Sequence, residues 1–175
     1  MVEDDRQADK VVGMARLTYL QLTDPAQHRK SSRQVDLVMV PVDGLVVRKL
    51  TTLVGQGYGW PSQDWNDQRW AEYLADPTRQ HWTGEHEGQV IGLLSLDLTR
   101  FPDVEIESFG LAPELLGQGL GGVLLSASVQ VIWGLGAERI WLHTSTEAHP
   151  NAVANYEARG FTRYQPDEEH PDFRG

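Results

Sequence analysis

Between two apolar stretches, Val104 to Leu111 and Val123 to Gly136, the chain carries Gly117-Gln118-Gly119-Leu120-Gly121-Gly122. Four glycines in six residues let a backbone turn tightly and leave its N–H groups bare. The first stretch reads as a strand and the second as a helix, so the glycines sit at a helix start. Partial positive charge gathers there, and the guest that suits it is a phosphate or diphosphate. A glycine-rich turn ahead of a core helix explains the loop about as well when it stands alone. The surrounding residues have to decide.

Two familiar phosphate schemes fit poorly. The P-loop of nucleotide hydrolases closes with Lys and then Ser or Thr. Here Val123 and Leu124 follow, and the only lysines are Lys10, Lys30 and Lys49. The dinucleotide fingerprint matches in letters at Gly117, Gly119 and Gly122, with Glu147 as a candidate ribose acid. It also requires several further strand–helix units, and too little chain follows Gly122 to build them.

A third scheme rests on three motifs taken together. The register Leu116-Gly117-Gln118-Gly119-Leu120-Gly121 follows a strand, Val104 to Leu111, that exits through Ala112-Pro113-Glu114. Downstream stands Asn155-Tyr156-Glu157-Ala158-Arg159-Gly160-Phe161. In this order and spacing, segment 104–164 resembles the core of the GNAT superfamily of acyl-CoA N-acyltransferases. The loop is similar to that family's Gln/Arg-x-x-Gly-x-Gly/Ala, with Leu116 in place of the Gln or Arg. The last motif is similar to its Tyr-x-x-x-Gly-Phe ending. The resemblance implies an α/β fold with a central twisted mixed sheet flanked by helices, the family's fourth and fifth strands being parallel and splayed. It also implies acetyl-CoA as co-substrate. Its diphosphate would lie on Gly117, Gln118, Gly119, Leu120, Gly121 and Gly122, and its pantetheine arm beside Phe109, Gly110 and Leu111. The polar residue that often touches that arm falls on His149 or on Asn151.

Acyl transfer from a thioester to an amine needs a base for the attacking ammonium, a donor for the oxyanion and an acid for the leaving thiolate. The chain has no cysteine, which excludes a cysteinyl acyl-enzyme; direct attack in a ternary complex is the economical route and the one the resemblance implies. The resemblance makes Glu105 the leading candidate base, since it stands on the strand before the loop where several members of the family carry theirs. Glu107 shares its face, since strand side chains repeat every two residues. Carboxylates about 6–7 Å apart raise one another's pKa. Both also read as the exposed stripe of a half-buried strand. His143, on the strand Trp141 to Ser145, is a third base candidate or a group that orients the amine. The resemblance makes Tyr156 the acid, and a phenol with pKa about 10 holds its proton near neutrality. A ring buried beside Ala152 and Val153 is the alternative. The oxyanion donor implied is a backbone N–H near Phe109 to Leu111.

The aromatic group Tyr58, Trp60, Trp65, Trp70 and Tyr73 precedes this core. Tyr58 and Trp60 lie in a glycine-rich loop and are the candidates for an acceptor pocket. Trp70 and Tyr73 are equally explained by core packing. The reaction expected is N-acetylation of a primary amine of a small molecule. A peptide amine is an alternative, as is a non-catalytic module that binds acyl-CoA.

Composition narrows the partners. At 175 residues, 40% hydrophobic and 23% charged, the chain reads as one globular domain. Its net charge of −10 opposes nucleic-acid binding and mildly favours a cationic substrate. No stretch approaches the ~20 apolar residues of a membrane span. The acidic, polar start Met1 to Arg6 is unlike a secretory signal, so a cytoplasmic location is expected. The histidines show no metal-ligand spacing, and none is expected to hold a metal. A homodimer stays open.

The pattern divides the chain into a disordered segment 1–14, a single domain 15–165 and a loose acidic tail 166–175; Met14 is an alternative start. Strands are expected at Arg16–Leu22, Val35–Val42, Gln80–Glu85, Gln89–Leu98, Val104–Leu111, Arg139–Ser145 and Phe161–Gln165. Helices are expected at Leu45–Leu53, from a cap at Ser62 or Asp64 to Ala75, at Val123–Gly136 and at Asn151–Arg159.

Overall fold

Turn chemistry and apolar spacing place the strands much where the residues ask for them. The computed structural model describes residues 16–174, so the expectation for segment 1–14 lies outside the described residues. Seven strands form one sheet: β1 (Leu17–Leu22), β2 (Val38–Val42), β3 (Arg79–His86), β4 (Gln89–Asp97), β5 (Asp103–Leu111), β6 (Arg139–Ser145) and β7 (Thr162–Tyr164). Their order across the sheet is β2-β3-β4-β5-β6-β1-β7. Every neighbouring pair is antiparallel except β5 and β6, which run parallel. Among the described residues there are four α-helices: α1 (Gly44–Gly55), α2 (Asp67–Ala75), α3 (Gly121–Gly134) and α4 (Ala152–Ala158). The element order is the one expected, and the fold is a mixed α/β sheet flanked by helices. No described helix is long and apolar enough to cross a membrane.

Helix α3 is the central packing element. Val123, Leu124, Leu125, Val129 and Ile132 are buried along it, and Ser128 satisfies its buried hydroxyl on the Leu124 carbonyl at 2.8 Å. With Leu20, Leu94, Leu96, Val104, Ile140 and Leu142 of the sheet, Leu125, Val129 and Ile132 make the main core, while Leu124 packs with Ile91, Leu111 and Leu120. Strand β4 is buried continuously from Ile91 to Leu96 rather than on one face. Its Ser95 is tolerated there because the hydroxyl meets His81 Nδ1 at 2.8 Å.

Helix α4 ends where the family motif ends, for a steric reason. Gly160 has φ +99°, and a Cβ there would lie 1.9 Å from the Gln27 carbonyl oxygen. Only glycine fits, and the turn it makes sends Phe161 back against Tyr156, with ring centroids 5.7 Å apart.

Three expectations need correction. No single helix runs from Ser62 or Asp64 to Ala75. Pro61–Asp64 makes one 3₁₀ turn, and α2 begins after Asn66, whose side chain accepts the Arg69 N–H at 2.8 Å. Strand β2 is shorter than Val35–Val42, with Pro41 inside it on the sheet edge. The segment after β7 is not loose. Asp172 is fully buried and pairs with Arg139 at 2.7 Å and with Arg100, and the Tyr164 hydroxyl donates to it at 2.6 Å. The acidic letters of that tail conceal one anchor, and a buried carboxylate with three partners stays ionised.

Candidate active site

The parallel strands separate partway along their length. They pair from Asp103/Arg139 to Glu105/Trp141 and no further, although both continue. On its other edge β5 stays paired with β4 as far as Leu111. That pairing shifts register between Ser95 and Leu96, skipping Glu107, and such a bulge re-aims side chains. A cavity of about 570 Å³ occupies the gap.

Glu105 stands at the fork. It is 7% exposed, accepts from Arg174 Nη2 at 2.8 Å through Oε2, and has His143 Nε2 at 3.5 Å from Oε1. Burial pushes its carboxyl up to about 7, against the pull of Arg174. Glu107 faces the same cavity with other partners. The Tyr73 hydroxyl donates to its Oε2 at 2.8 Å, and Arg79 Nε lies 3.2 Å away. Desolvation raises its pKa too, moderated by Arg79 and Tyr73. Loss of water rather than mutual repulsion is the main cause for both; the charge of Glu107 is a minor influence on Glu105. The two do not form one exposed stripe: Glu105 is buried, whereas Glu107 is exposed.

His143 lines the same wall between the rings of Tyr19 and Trp141. Burial, then the Arg174 charge, holds its pKa below the ordinary value, so it is neutral at pH 7. Tyr156, on α4, also lines the cavity, its ring centroid 6.1 Å from that of Phe109. Burial alone raises its phenol above the usual range, and it keeps its proton.

The glycine loop borders the cavity through Leu116, which lines it. Leu116 packs with Ile91, Leu111, Leu120 and Leu124, an apolar role for the position where the family pattern carries Gln or Arg. Gly119 has φ +73°, and no side chain caps the start of α3. Arg33 reaches across from the β1–β2 connection to donate to the Gln118 carbonyl. Asn155 and Arg159 of the α4 region approach Gly121 and Gly122 from the other side. Bare amides flanked by two guanidinium groups fit the diphosphate of acetyl-CoA. Phe109, Gly110 and Leu111 line the cavity from β5. Of the two polar candidates, His149 lines it beside Tyr58, with centroids 5.7 Å apart. Asn151 precedes α4, donates its backbone N–H to His149 Nδ1 at 3.2 Å, and does not line the cavity.

These observations coincide with a family pattern. A family model described as the acetyltransferase (GNAT) family matches residues 47–161. The chain belongs to the GNAT acetyltransferase family. It is 32% identical over 93 residues to an uncharacterised N-acetyltransferase of Mycobacterium bovis, covering 53% of this chain and 59% of that protein. The match thus spans about three fifths of that relative's length. Among solved structures, an IAA acetyltransferase of Bacillus cereus aligns with TM-score 0.57 at 23% identity, covering 74% of this chain and 79% of that one. A spermidine N-acetyltransferase of Vibrio cholerae, solved with CoA and spermine, aligns with TM-score 0.59 at 20% identity, covering 74% and 82%.

In this GNAT member the aromatic cluster divides. Tyr58 and Trp60 line the cavity, and so do Trp65 and Tyr73, whereas Trp70 is buried with Val47. Sequence reading gave no site role to Arg79, Arg174, Arg33 or Asn155, and for Tyr73 it weighed core packing at least as heavily as an aromatic wall. Tyr73 carried a signal, since a tyrosine buried on an amphipathic helix needs a partner for its hydroxyl. The arginines carried none, because each meets its partner through long-range folding. Among the described residues no group of three or more His, Asp or Glu is placed to hold a metal.

Proposed function

We propose that this chain is an N-acetyltransferase that moves the acetyl group of acetyl-CoA to a primary amine of a small molecule. The observation that carries the reading is a buried carboxylate, at the point where β5 and β6 part, and a protonated phenol that line one and the same cavity.

Acetyl-CoA supplies the activated acetyl thioester. Each remaining task falls to this chain. Uncapped amides of the loop and α3, with Arg33 and Arg159 beside them, hold the diphosphate. Glu105, with its carboxyl near 7, takes a proton from the incoming ammonium, directly or through one water. The β6-facing edge of β5 beyond Glu105 has no strand partner, so its backbone N–H groups are available to the carbonyl oxygen. Tyr156 gives its proton to the departing sulfur. Asp97, Glu105, Glu107 and Glu147 on the lining attract a cation, and Tyr58, Trp60 and Trp65 offer it ring faces.

A thiol-release assay across polyamines, amino acids, aminoglycosides and short peptides tests the proposal. Turnover with at least one small amine is expected. Turnover with peptides alone would favour a protein acceptor. Tight acetyl-CoA binding without thiol release from any amine would favour a binding module.

A further inference from the structure

The segment after β7 contributes a side chain to the cavity that no motif announces. From the buried Asp172 anchor the chain turns so that the Arg174 backbone N–H donates to the Tyr19 hydroxyl at 3.0 Å. The Arg174 guanidinium then lies 5.0 Å from the centroid of the Trp141 ring, bonds the Pro171 carbonyl at 2.9 Å, and donates to Glu105 at 2.8 Å. Three contacts therefore fix one long side chain whose backbone is itself tied to Tyr19. It also stands between the main cavity and a smaller recess of about 140 Å³ bounded by Asp97, Asp103 and Trp141; Glu105 and Arg174 line both.

We propose that Arg174 is a positioning residue for the acetyl transfer, holding one oxygen of Glu105 so that the other faces the acceptor. The inference rests on the function proposed above. The groups facing Glu105 are Glu107 on its own strand, Asp97 on β4, His143 on β6, Asp103 and Arg100 around the smaller recess, and Arg174. Glu107 and Asp97 favour the protonated acid, while Arg174 favours the carboxylate. His143 is neutral at pH 7 and offsets little of that balance. Without the guanidinium, Glu105 holds its proton to higher pH and its carboxyl is free to turn.

The experiment compares wild type, R174Q and R174K, with circular dichroism and melting confirming that each is folded. Carbon NMR of labelled glutamate side chains follows Glu105 in the protein without ligands, and pH profiles of kcat/KM are recorded on the same samples. In R174Q the Glu105 midpoint and the acid limb of kcat/KM both move up by about one pH unit, a tenfold loss below the limb. The loss narrows above pH 9, and R174K restores most of the displacement. A purely structural role would lower activity equally at every pH. A Glu105 midpoint common to all three proteins overturns the inference. A midpoint that moves while no amine is acetylated leaves the Arg174–Glu105 linkage standing and overturns the function proposed above.

Discussion

The two ends of the cavity are built by different means. The end proposed to hold the diphosphate rests on a continuous stretch, Leu111 to Val123, in which strand, turn and helix start follow one another and leave backbone amides bare, with Arg33 and Arg159 reaching it from elsewhere in the chain. The carboxylate end draws Glu105 and Glu107 from β5, His143 from β6, Tyr73 from α2, Arg79 from β3 and Arg174 from beyond β7. A local device fails when its backbone cannot adopt the turn. An assembled one fails when a single partner is removed and the rest keep their charge. The first should therefore break in affinity and the second in rate and pH dependence.

Glu105→Gln makes the sharpest break. Loss of a general base costs about a thousandfold in kcat, with acetyl-CoA affinity by calorimetry unchanged. Tyr156→Phe lowers kcat by about a hundredfold and also spares affinity. Gly119→Val does the reverse. A branched side chain at φ +73° strains the turn and meets Arg33, so acetyl-CoA affinity falls by about a hundredfold in a variant that still folds. Glu107→Gln is the mildest. It removes one charge from a carboxylate already held by Tyr73 and Arg79, and the amine KM rises by about fivefold with little change in kcat. Equal rate losses at Glu105 and Glu107 would erase the distinction between them.

The raised pKa of Glu105 gives the carboxylate end two pH signatures of opposite sign. Activity needs the ionised base, so kcat/KM climbs as pH passes through about 7. Stability runs the other way. A carboxyl whose folded pKa lies above its unfolded value stabilises the protein fully below about 4.5, and that contribution is lost as pH rises through about 7. Glu105→Gln should then melt higher than wild type at pH 8, with the gain gone below pH 4.5. Thermal melts across that range check it.

The same contrast explains what the sequence disclosed. Strand β6 follows from the apolar run Ile140 to Leu142 bounded by polar turns, and the cradle follows from its glycines, because both depend on neighbours in the chain. Family spacing singled out Glu105 and Tyr156 as candidates, and both line the cavity. Their environments were not legible in the sequence. No local signal distinguishes Glu105 from Glu107, since the difference is made by Arg174 and Arg79, which are 69 and 28 residues away. Asp172 shows the limit plainly. In sequence it belongs to an acidic, polar stretch, and only Arg100, Arg139 and Tyr164 brought together make it a buried anchor.

A crystal structure of the protein with coenzyme A tests the central claim most directly. The diphosphate should rest on the amides between Gln118 and Gly122, with the sulfur in the gap between β5 and β6 and within hydrogen-bonding reach of the Tyr156 hydroxyl. A coenzyme seated anywhere else on the sheet, or a sulfur remote from both Tyr156 and Glu105, would contradict it.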